Sequence, residues 1–229
     1  MERKKNLINI FSNDKIIQTI IIIIFSVGVI GHIVLLKPMV QITSLTLFFL
    51  ILLISTSNYF FLTKDDRKRF LIFVFIVFII TLIIEIVGVK TSLIFGRYHY
   101  PNLLQPRIFG VPLIIGLNWV FVVLGSYALS YKLFGNVYLK IIMSAVFSVF
   151  FDFVMEPIAI KLQYWEWLDN VGLPSKIIPL QNYLSWFVLS LIISYLIYKF
   201  KIRYKSNIII TYWFAQLFFF QLLQIIING

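Results

Sequence analysis

Apolar residues fall in seven blocks of about twenty, and shorter polar connections separate these blocks. A helix of about twenty residues, at about 1.5 Å per residue, spans the roughly 30 Å hydrocarbon core of a bilayer. The pattern therefore predicts an all-α polytopic membrane protein, a bundle of seven transmembrane helices in a single integral membrane domain over residues 1–229. The predicted spans are Ile16–Leu36, Ile42–Leu62, Phe70–Val89, Val111–Tyr131, Val137–Pro157, Leu180–Tyr198 and Ile208–Ile227.

Charge follows the same pattern, since basic residues lie between the apolar blocks. Of the 20 Lys and Arg, fourteen fall on the side of the amino-terminal arm and six on the other side. The positive-inside rule then predicts a cytoplasmic amino terminus and an outer carboxyl terminus. The net charge of +11 is thus topological, and we expect a lipid bilayer and no nucleic acid as the partner. The lack of cysteine excludes disulfides and thiolate catalysis.

Three acids lie inside the predicted spans, where carboxyl groups are costly: Glu85 in the third, and Asp152 and Glu156 in the fifth. A carboxylate near the bilayer centre costs roughly 2.5 to 3.5 kcal/mol, so such acids indicate a functional site. Hydrogen bonds that only tie helices together return less, about 0.6 kcal/mol each. Asp152 and Glu156 are one helical turn apart, on one face. Pro157, which lacks an N–H, is expected to end or kink the helix just beyond them.

The predicted topology brings two amides to the depth of these acids. Asn118 lies early in the fourth span and Asn182 early in the sixth, and both spans run inward, whereas the acids lie late in spans that run outward. All five side chains are therefore expected in the outer half of the membrane. The connections Lys90–Gly110 and Lys161–Pro179 lie on that side and are rich in aromatic residues. These rings are expected to form an interfacial belt, to line a site, or both.

Acids in a dry, aromatic-lined cavity suit the protonation of an alkene. Desolvation and a neighbouring carboxylate both raise the pKa of a carboxyl group, so a buried pair can hold a proton at neutral pH. Protonation of a trisubstituted isoprenoid double bond gives a tertiary carbocation, which aromatic faces stabilise. The cation then takes up water, loses a proton or closes a ring. His32 and His99 share no metal-ligand spacing, so no metal site is expected.

Six short motifs, taken in order, resemble the membrane-bound carotenoid biosynthesis family. They are Glu85-x-x-Gly88-x-x-Thr91, Phe95-Gly96-x-Tyr98-x-Tyr100, Gly110-Val111-Pro112, Asp152 with Glu156-Pro157, Trp165-x-Trp167 and Pro179-x-x-Asn182-x-x-x-Trp186. The resemblance covers about residues 81–190. The chain departs from the family pattern at Glu156, where Asp is common, and at Ser92 and Ser185, where Gly is common.

The resemblance implies a cofactor-independent hydratase with a hydrophobic carotenoid substrate. Characterised members of the family include the carotenoid 1,2-hydratases and bisanhydrobacterioruberin hydratase, which add water to the terminal double bond of an acyclic end group. We expect Asp152 or Glu156 to donate the proton, and Glu85 with Asn118 or Asn182 to hold and deprotonate the water. Further residues are expected to line the polyene channel or shield the cation: Tyr98, Trp165, Trp167 and Trp186. A bacterial cytoplasmic membrane and association with other carotenoid-synthesis enzymes would fit this role.

Other functions stay open. A carotenoid end-group cyclase or isomerase would use the same protonation and differ only in how the cation is quenched. A proton-coupled transporter would use intramembrane carboxylates, but the chain has no internal repeat and its acids lie toward one side. A structural partner in a pigment-synthesising complex would leave the buried acids unexplained.

Overall fold

The computed structural model describes residues 13–35, 38–39, 42–43, 46–52, 63–202 and 207–228. This part of the chain is mostly helical, and six of its helices are long and apolar enough to cross a membrane, as expected of an integral membrane protein. They are α1 (Asp14–Val34), α2 (Lys64–Thr91), α3 (Leu113–Leu133), α4 (Val137–Lys161), α5 (Leu180–Lys199) and α6 (Ile208–Asn228).

These six helices correspond to six of the seven predicted spans, with shifted ends. Helix α2 begins at Lys64, before the predicted Phe70, because the Thr63 hydroxyl accepts the Asp66 N–H and caps the helix. The predicted second span, 42–62, lies largely outside the described residues, although 42–43 and 46–52 are helical. The count of seven helices therefore stays a prediction.

Pro157 does not end its helix, which corrects the boundary predicted there. Helix α4 continues to Lys161, and the Leu162 N–H donates to the Ile158 carbonyl at its end. A proline removes one helical hydrogen bond, and transmembrane helices tolerate this loss where neighbouring polar groups or a local adjustment of the helix satisfy the freed carbonyl. Asp152 and Glu156 consequently project from an unbroken helical segment near its carboxyl end.

Helix α3 lies at the centre of the bundle. It packs against α2, α4, α5 and α6, while α1 packs on α6 from outside. In its most apolar stretch, 72% of the residues are buried, compared with 44% or less in the five other helices. Two glycines permit this close packing: a Cβ at Gly116 would lie 3.1 Å from Phe78, and one at Gly125 only 2.7 Å from Trp213. The middle of α3 is therefore covered by protein, and its Ser126 is fully buried.

The two aromatic connections pair with each other in a small sheet, which the all-α prediction missed. Strand β1 (Tyr98–His99) pairs antiparallel with β4 (Glu166–Leu168), which pairs with β5 (Pro174–Ser175). Strands β2 (Arg107–Ile108) and β3 (Val111–Pro112) form a separate hairpin that leads into α3.

The sheet turns several aromatic side chains inward. The register places Tyr98 opposite Trp167, and Tyr98, Trp165 and Trp167 are all buried. The interfacial-belt interpretation therefore does not apply to these three rings. It suits Phe109, which is 72% exposed in the β2–β3 turn.

Candidate active site

Three carboxyl groups, from α2 and α4, lie around one buried cavity. Glu85, Asp152 and Glu156 are exposed by only 5%, 1% and 2%. The cavity has a volume of about 40 Å³, enough for a few water molecules. Within the described residues, its wall contains no Lys, Arg or His, so the acids face no counter-ion there. The remaining wall consists of Phe95, Tyr98, Tyr100, Ile115, Asn118, Trp119, Met155, Trp165, Trp167 and Trp186.

Glu85 on α2 accepts three hydrogen bonds. The hydroxyls of Tyr98 and Tyr100 donate to Oε2 at 2.6 and 2.8 Å, and the Trp119 indole donates to Oε1 at 2.7 Å. Burial, and then the nearby Glu85, raise the pKa of both Tyr98 and Tyr100, so the phenols keep their protons and act as donors. Donors from the β1 region and from α3 thus replace the hydrogen bonds that water would otherwise make to this carboxylate.

Asp152 and Glu156 form a second carboxyl centre one turn apart on α4. The indoles of Trp165 and Trp167 both donate to Glu156 Oε2, at 3.0 and 2.9 Å. Their alternate positions put both rings on one side of the extended chain at β4. Asn182 Nδ2 on α5 donates to Asp152 Oδ2 at 2.7 Å and lies 3.4 Å from Glu156 Oε1. One amide therefore joins the two acids.

Asp152 Oδ1 is the least supported oxygen of the cluster. It is buried and has no hydrogen-bond partner among the described residues. Buried polar atoms are normally bonded, and exceptions concentrate at functional sites. A proton on this oxygen would therefore displace no hydrogen bond from a protein donor.

The structure brings the residues predicted for the site together. Eight of the nine line the cavity, and the ninth, Asn182, bonds to Asp152 instead of facing Glu85. Asn118 is held from α6, because Gln216 Nε2 donates to its Oδ1 at 2.9 Å. Asn118 shares the cavity with Glu85, whereas Asn182 contacts Asp152 and Glu156. The catalytic roles themselves stay predictions.

Sequence reasoning missed Trp119 and Tyr100, which both hold Glu85. The Trp119 ring also stacks on Trp186, with centroids 3.6 Å apart and planes 20° apart. An indole N–H inside an apolar span needs an acceptor, and this requirement was the available signal for Trp119. Tyr100 stands two residues after Tyr98, which in extended chain places both rings on one side.

Comparison with family profiles matches residues 43–228 to the carotenoid biosynthesis protein family. The chain belongs to this family. The matched region contains the acids and the small sheet, and membership confirms the resemblance inferred from the motifs. No curated protein and no solved structure matches the chain. Family membership gives the protein a role in carotenoid biosynthesis and suggests an enzymatic one.

The cavity of this carotenoid biosynthesis protein combines three chemical capacities. It contains a carboxyl oxygen without a protein partner, at Asp152. It contains two other carboxyl groups, Glu85 and Glu156, that each accept several donors. Its remaining wall presents aromatic rings. Together these groups suit proton donation to a hydrocarbon and stabilisation of the cation that results.

Proposed function

We propose that the protein is a carotenoid hydratase, which adds water across the terminal double bond of an acyclic carotenoid end group. The observation that carries the proposal is the cluster of Glu85, Asp152 and Glu156 around a small aromatic-lined cavity, whose described wall has no Lys, Arg or His side chain. A carotenoid end group is a hydrocarbon, and the direct reaction of a carboxylic acid with an isolated alkene is protonation. Family membership supports the pathway, and the acid cluster supports the chemistry.

Asp152 is the proposed proton donor. It accepts one hydrogen bond, from Asn182, whereas Glu156 lies within reach of two indoles and the same amide. Donors aimed at a carboxylate favour its ionised form, so a proton shared by this pair belongs on Asp152. The unpartnered Oδ1 then carries a hydrogen that no protein acceptor withholds from the substrate.

The proposed reaction is balanced without a cofactor. The Asp152 proton adds to the less substituted carbon of the alkene, the π electrons form the new C–H bond, and a tertiary cation results. A water oxygen then forms the C–O bond. The proton lost by that water returns to the carboxylate cluster, so alkene and water give a tertiary alcohol.

Glu85 and Asn118 are the proposed water-holding pair. Glu85 Oε1 accepts only the Trp119 indole among the described residues, and a carboxylate oxygen has room for a second donor. Asn118 lines the same cavity while Gln216 fixes its oxygen, so its Nδ2 remains available to orient water. These two residues then decide where water stands relative to the cation.

The aromatic wall is proposed to stabilise the cation. A cation over an indole or phenol face gains about 0.5 to 2 kcal/mol per ring. The Trp119–Trp186 stack lies beside Glu85, and Trp165 and Trp167 lie beside Glu156, so rings and negative charge act together. Without these rings and acids, the cation would form in a hydrocarbon environment, where no nearby group stabilises its charge.

An end-group cyclase or isomerase is the second candidate. A cavity of about 40 Å³ admits few waters, and proton loss or ring closure then competes with hydration. The protonation step and the role of Asp152 would be the same.

We further propose the seven-span arrangement with a cytoplasmic amino terminus, in a bacterial cytoplasmic membrane. The Lys and Arg distribution supports the orientation. The acids and the small sheet would then lie toward the outer side.

Expression in cells that accumulate lycopene tests the proposed reaction. A pigment heavier by one or two waters, with unchanged polyene absorption, is expected in extracts analysed by chromatography and mass spectrometry. A pigment of unchanged mass but altered retention and absorption would instead support cyclisation. Pigments identical to those of an empty-vector control would contradict both reactions on lycopene.

A further inference from the structure

Two further cavities lie next to the acid cavity, one after the other. A central cavity of about 30 Å³ shares part of its wall with the acid cavity, and a distal cavity of about 40 Å³ shares part of its wall with the central one. The first shared wall consists of Ile115, Asn118, Met155 and Trp165. The second consists of Thr43, Leu47, Gln216 and Phe220. The three cavities therefore adjoin one another in succession, from the acids to residues of α1.

The central and distal cavities are apolar over most of their walls. Ile114 and Leu104 line the central cavity, and Phe25, Leu50 and Phe219 line the distal one. An apolar cleft with few polar groups is the usual form of a site for a small hydrophobic ligand.

Two buried acceptors show that the distal cavity is more than a packing gap. His32 is 4% exposed and Gln216 is 1% exposed, and both line this cavity. His32 Nδ1 lies 2.7 Å from the Gly28 carbonyl oxygen and must donate to it, which makes Nε2 an acceptor in the neutral ring. Neither Nε2 nor Gln216 Oε1 has a partner among the described residues. Buried polar atoms are normally bonded, so these two acceptors mark a place for a donor group such as a hydroxyl, which a hydrocarbon chain alone does not supply.

We propose that the three cavities form one substrate tunnel, which holds the polyene chain while the end group meets Asp152. The inference rests on the proposed function, since it requires a long acyclic isoprenoid substrate. The acid cavity, about 40 Å³, is far too small for a polyene, so the chain beyond the end group must occupy apolar space next to it. The central and distal cavities, about 30 and 40 Å³, mark where that chain would run, and the side chains between them must move apart to admit it.

The tunnel also explains two features that the reaction does not use. Met155 stands between the acid and central cavities, and a flexible thioether there can move aside for a methyl-branched chain. His32 and Gln216 offer acceptors to a hydroxyl on the chain, so the tunnel is expected to admit chains that carry one.

A bulky side chain in the tunnel tests the inference. Leu47 lies on the wall that the central and distal cavities share, while Leu52, on the same helical stretch 46–52, is 65% exposed. Each is replaced by Trp in the Asp152→Asn background, in lycopene-accumulating cells, and the polyene absorption that co-purifies per protein is measured. Leu47→Trp is expected to lower bound pigment about tenfold or more, and Leu52→Trp to leave it unchanged.

The controls separate blockage from misfolding and from a wrong substrate. Leu47→Ala removes volume from the same wall and is expected to keep the pigment. Equal losses of pigment in the Leu47→Ala and Leu47→Trp variants would overturn the assignment of Leu47 to the tunnel wall. Broadened gel-filtration peaks confined to these two variants would overturn it as well. Equal pigment in Leu47→Trp and Leu52→Trp, with product formed by the unmodified chain, would overturn the tunnel and leave the hydratase intact. Neither pigment nor product in any form would overturn the proposed function and the tunnel together.

Discussion

At the scale of single residues, the three buried acids differ in the donors that reach them. Glu85 accepts three short hydrogen bonds, and Glu156 accepts two indoles. Asp152 accepts one bond and keeps one oxygen without a partner. This inequality supports the different roles proposed for these chemically similar groups, because donors stabilise a carboxylate and an unengaged carboxyl oxygen can release a proton.

Asp152→Asn is expected to lower product formation by about 10²- to 10⁴-fold, the usual contribution of a general acid. The amide keeps the shape of the side chain and removes the transferable proton. Pigment yield per amount of membrane-inserted protein measures the effect. Asp169→Asn is the matched control, since Asp169 is exposed and its Oδ1 accepts only backbone N–H groups of its own turn. Full activity of the Asp152 variant would contradict the assignment.

Tyr98→Phe is expected to destabilise the protein by about 1 to 2 kcal/mol, because Glu85 loses a donor at 2.6 Å without a replacement. Thermal unfolding in detergent, followed by circular dichroism, measures the change. Tyr138→Phe removes the same hydroxyl from a side chain that is 74% exposed and should have little effect. Equal melting temperatures for the two variants would show that the Tyr98 bond contributes nothing to stability.

At the scale of elements, the small sheet positions the rings around the acids. Gly96 precedes β1 with φ of +109°, and a Cβ there would lie 2.7 Å from the Pro179 ring, at the start of α5. The same helix carries Asn182, which joins Asp152 and Glu156. A disturbance at Gly96 would therefore reach both carboxyl centres.

Gly96→Ala is expected to lower both stability and activity more than Gly110→Ala. Both glycines have positive φ, so both alanines incur a backbone cost of roughly 1 to 3 kcal/mol. Only Gly96 adds a clash, since nothing lies within 4 Å of a Cβ at Gly110. Melting temperature and pigment yield of the two variants test this. A Gly110 variant as impaired as the Gly96 variant would show that backbone strain alone accounts for the loss.

The helices and the grouping of the acids could be predicted from the sequence, whereas the small sheet could not. The length of the apolar blocks predicted the helices. The positions of Glu85, Asp152 and Glu156 within those blocks predicted that the three acids lie together. The strands are two or three residues long, too short for an alternating pattern, so the sheet escaped prediction. Trp119 looked like one more apolar residue in α3, because only its N–H partner distinguishes it.

At the scale of the whole molecule, α3 provides a central support and the connections close one end of the bundle. The acids lie late in α2 and α4, and Asn118 and Asn182 lie early in α3 and α5, next to the small sheet. The site thus belongs to one end of the bundle, and under the proposed topology to its outer side.

Single cysteines test that orientation cleanly, since the chain has none of its own. Gly135→Cys lies in the exposed α3–α4 connection and Val171→Cys, 78% exposed, in the α4–α5 connection. In intact cells, a membrane-impermeant maleimide is expected to label the Val171 variant and to label the Gly135 variant only after lysis. The reverse pattern would invert the topology.

The origin of the new hydrogen in the product tests acid catalysis by the buried carboxyl cluster most directly. The protein is incubated in deuterated water with an acyclic carotenoid, and the pigments are analysed by mass spectrometry after exchange of hydroxyl deuterium. Protonation by a buried carboxyl predicts one carbon-bound deuterium in each converted end group, lost in Asp152→Asn and retained in Asp169→Asn. A converted end group without carbon-bound deuterium would contradict acid catalysis by this cluster.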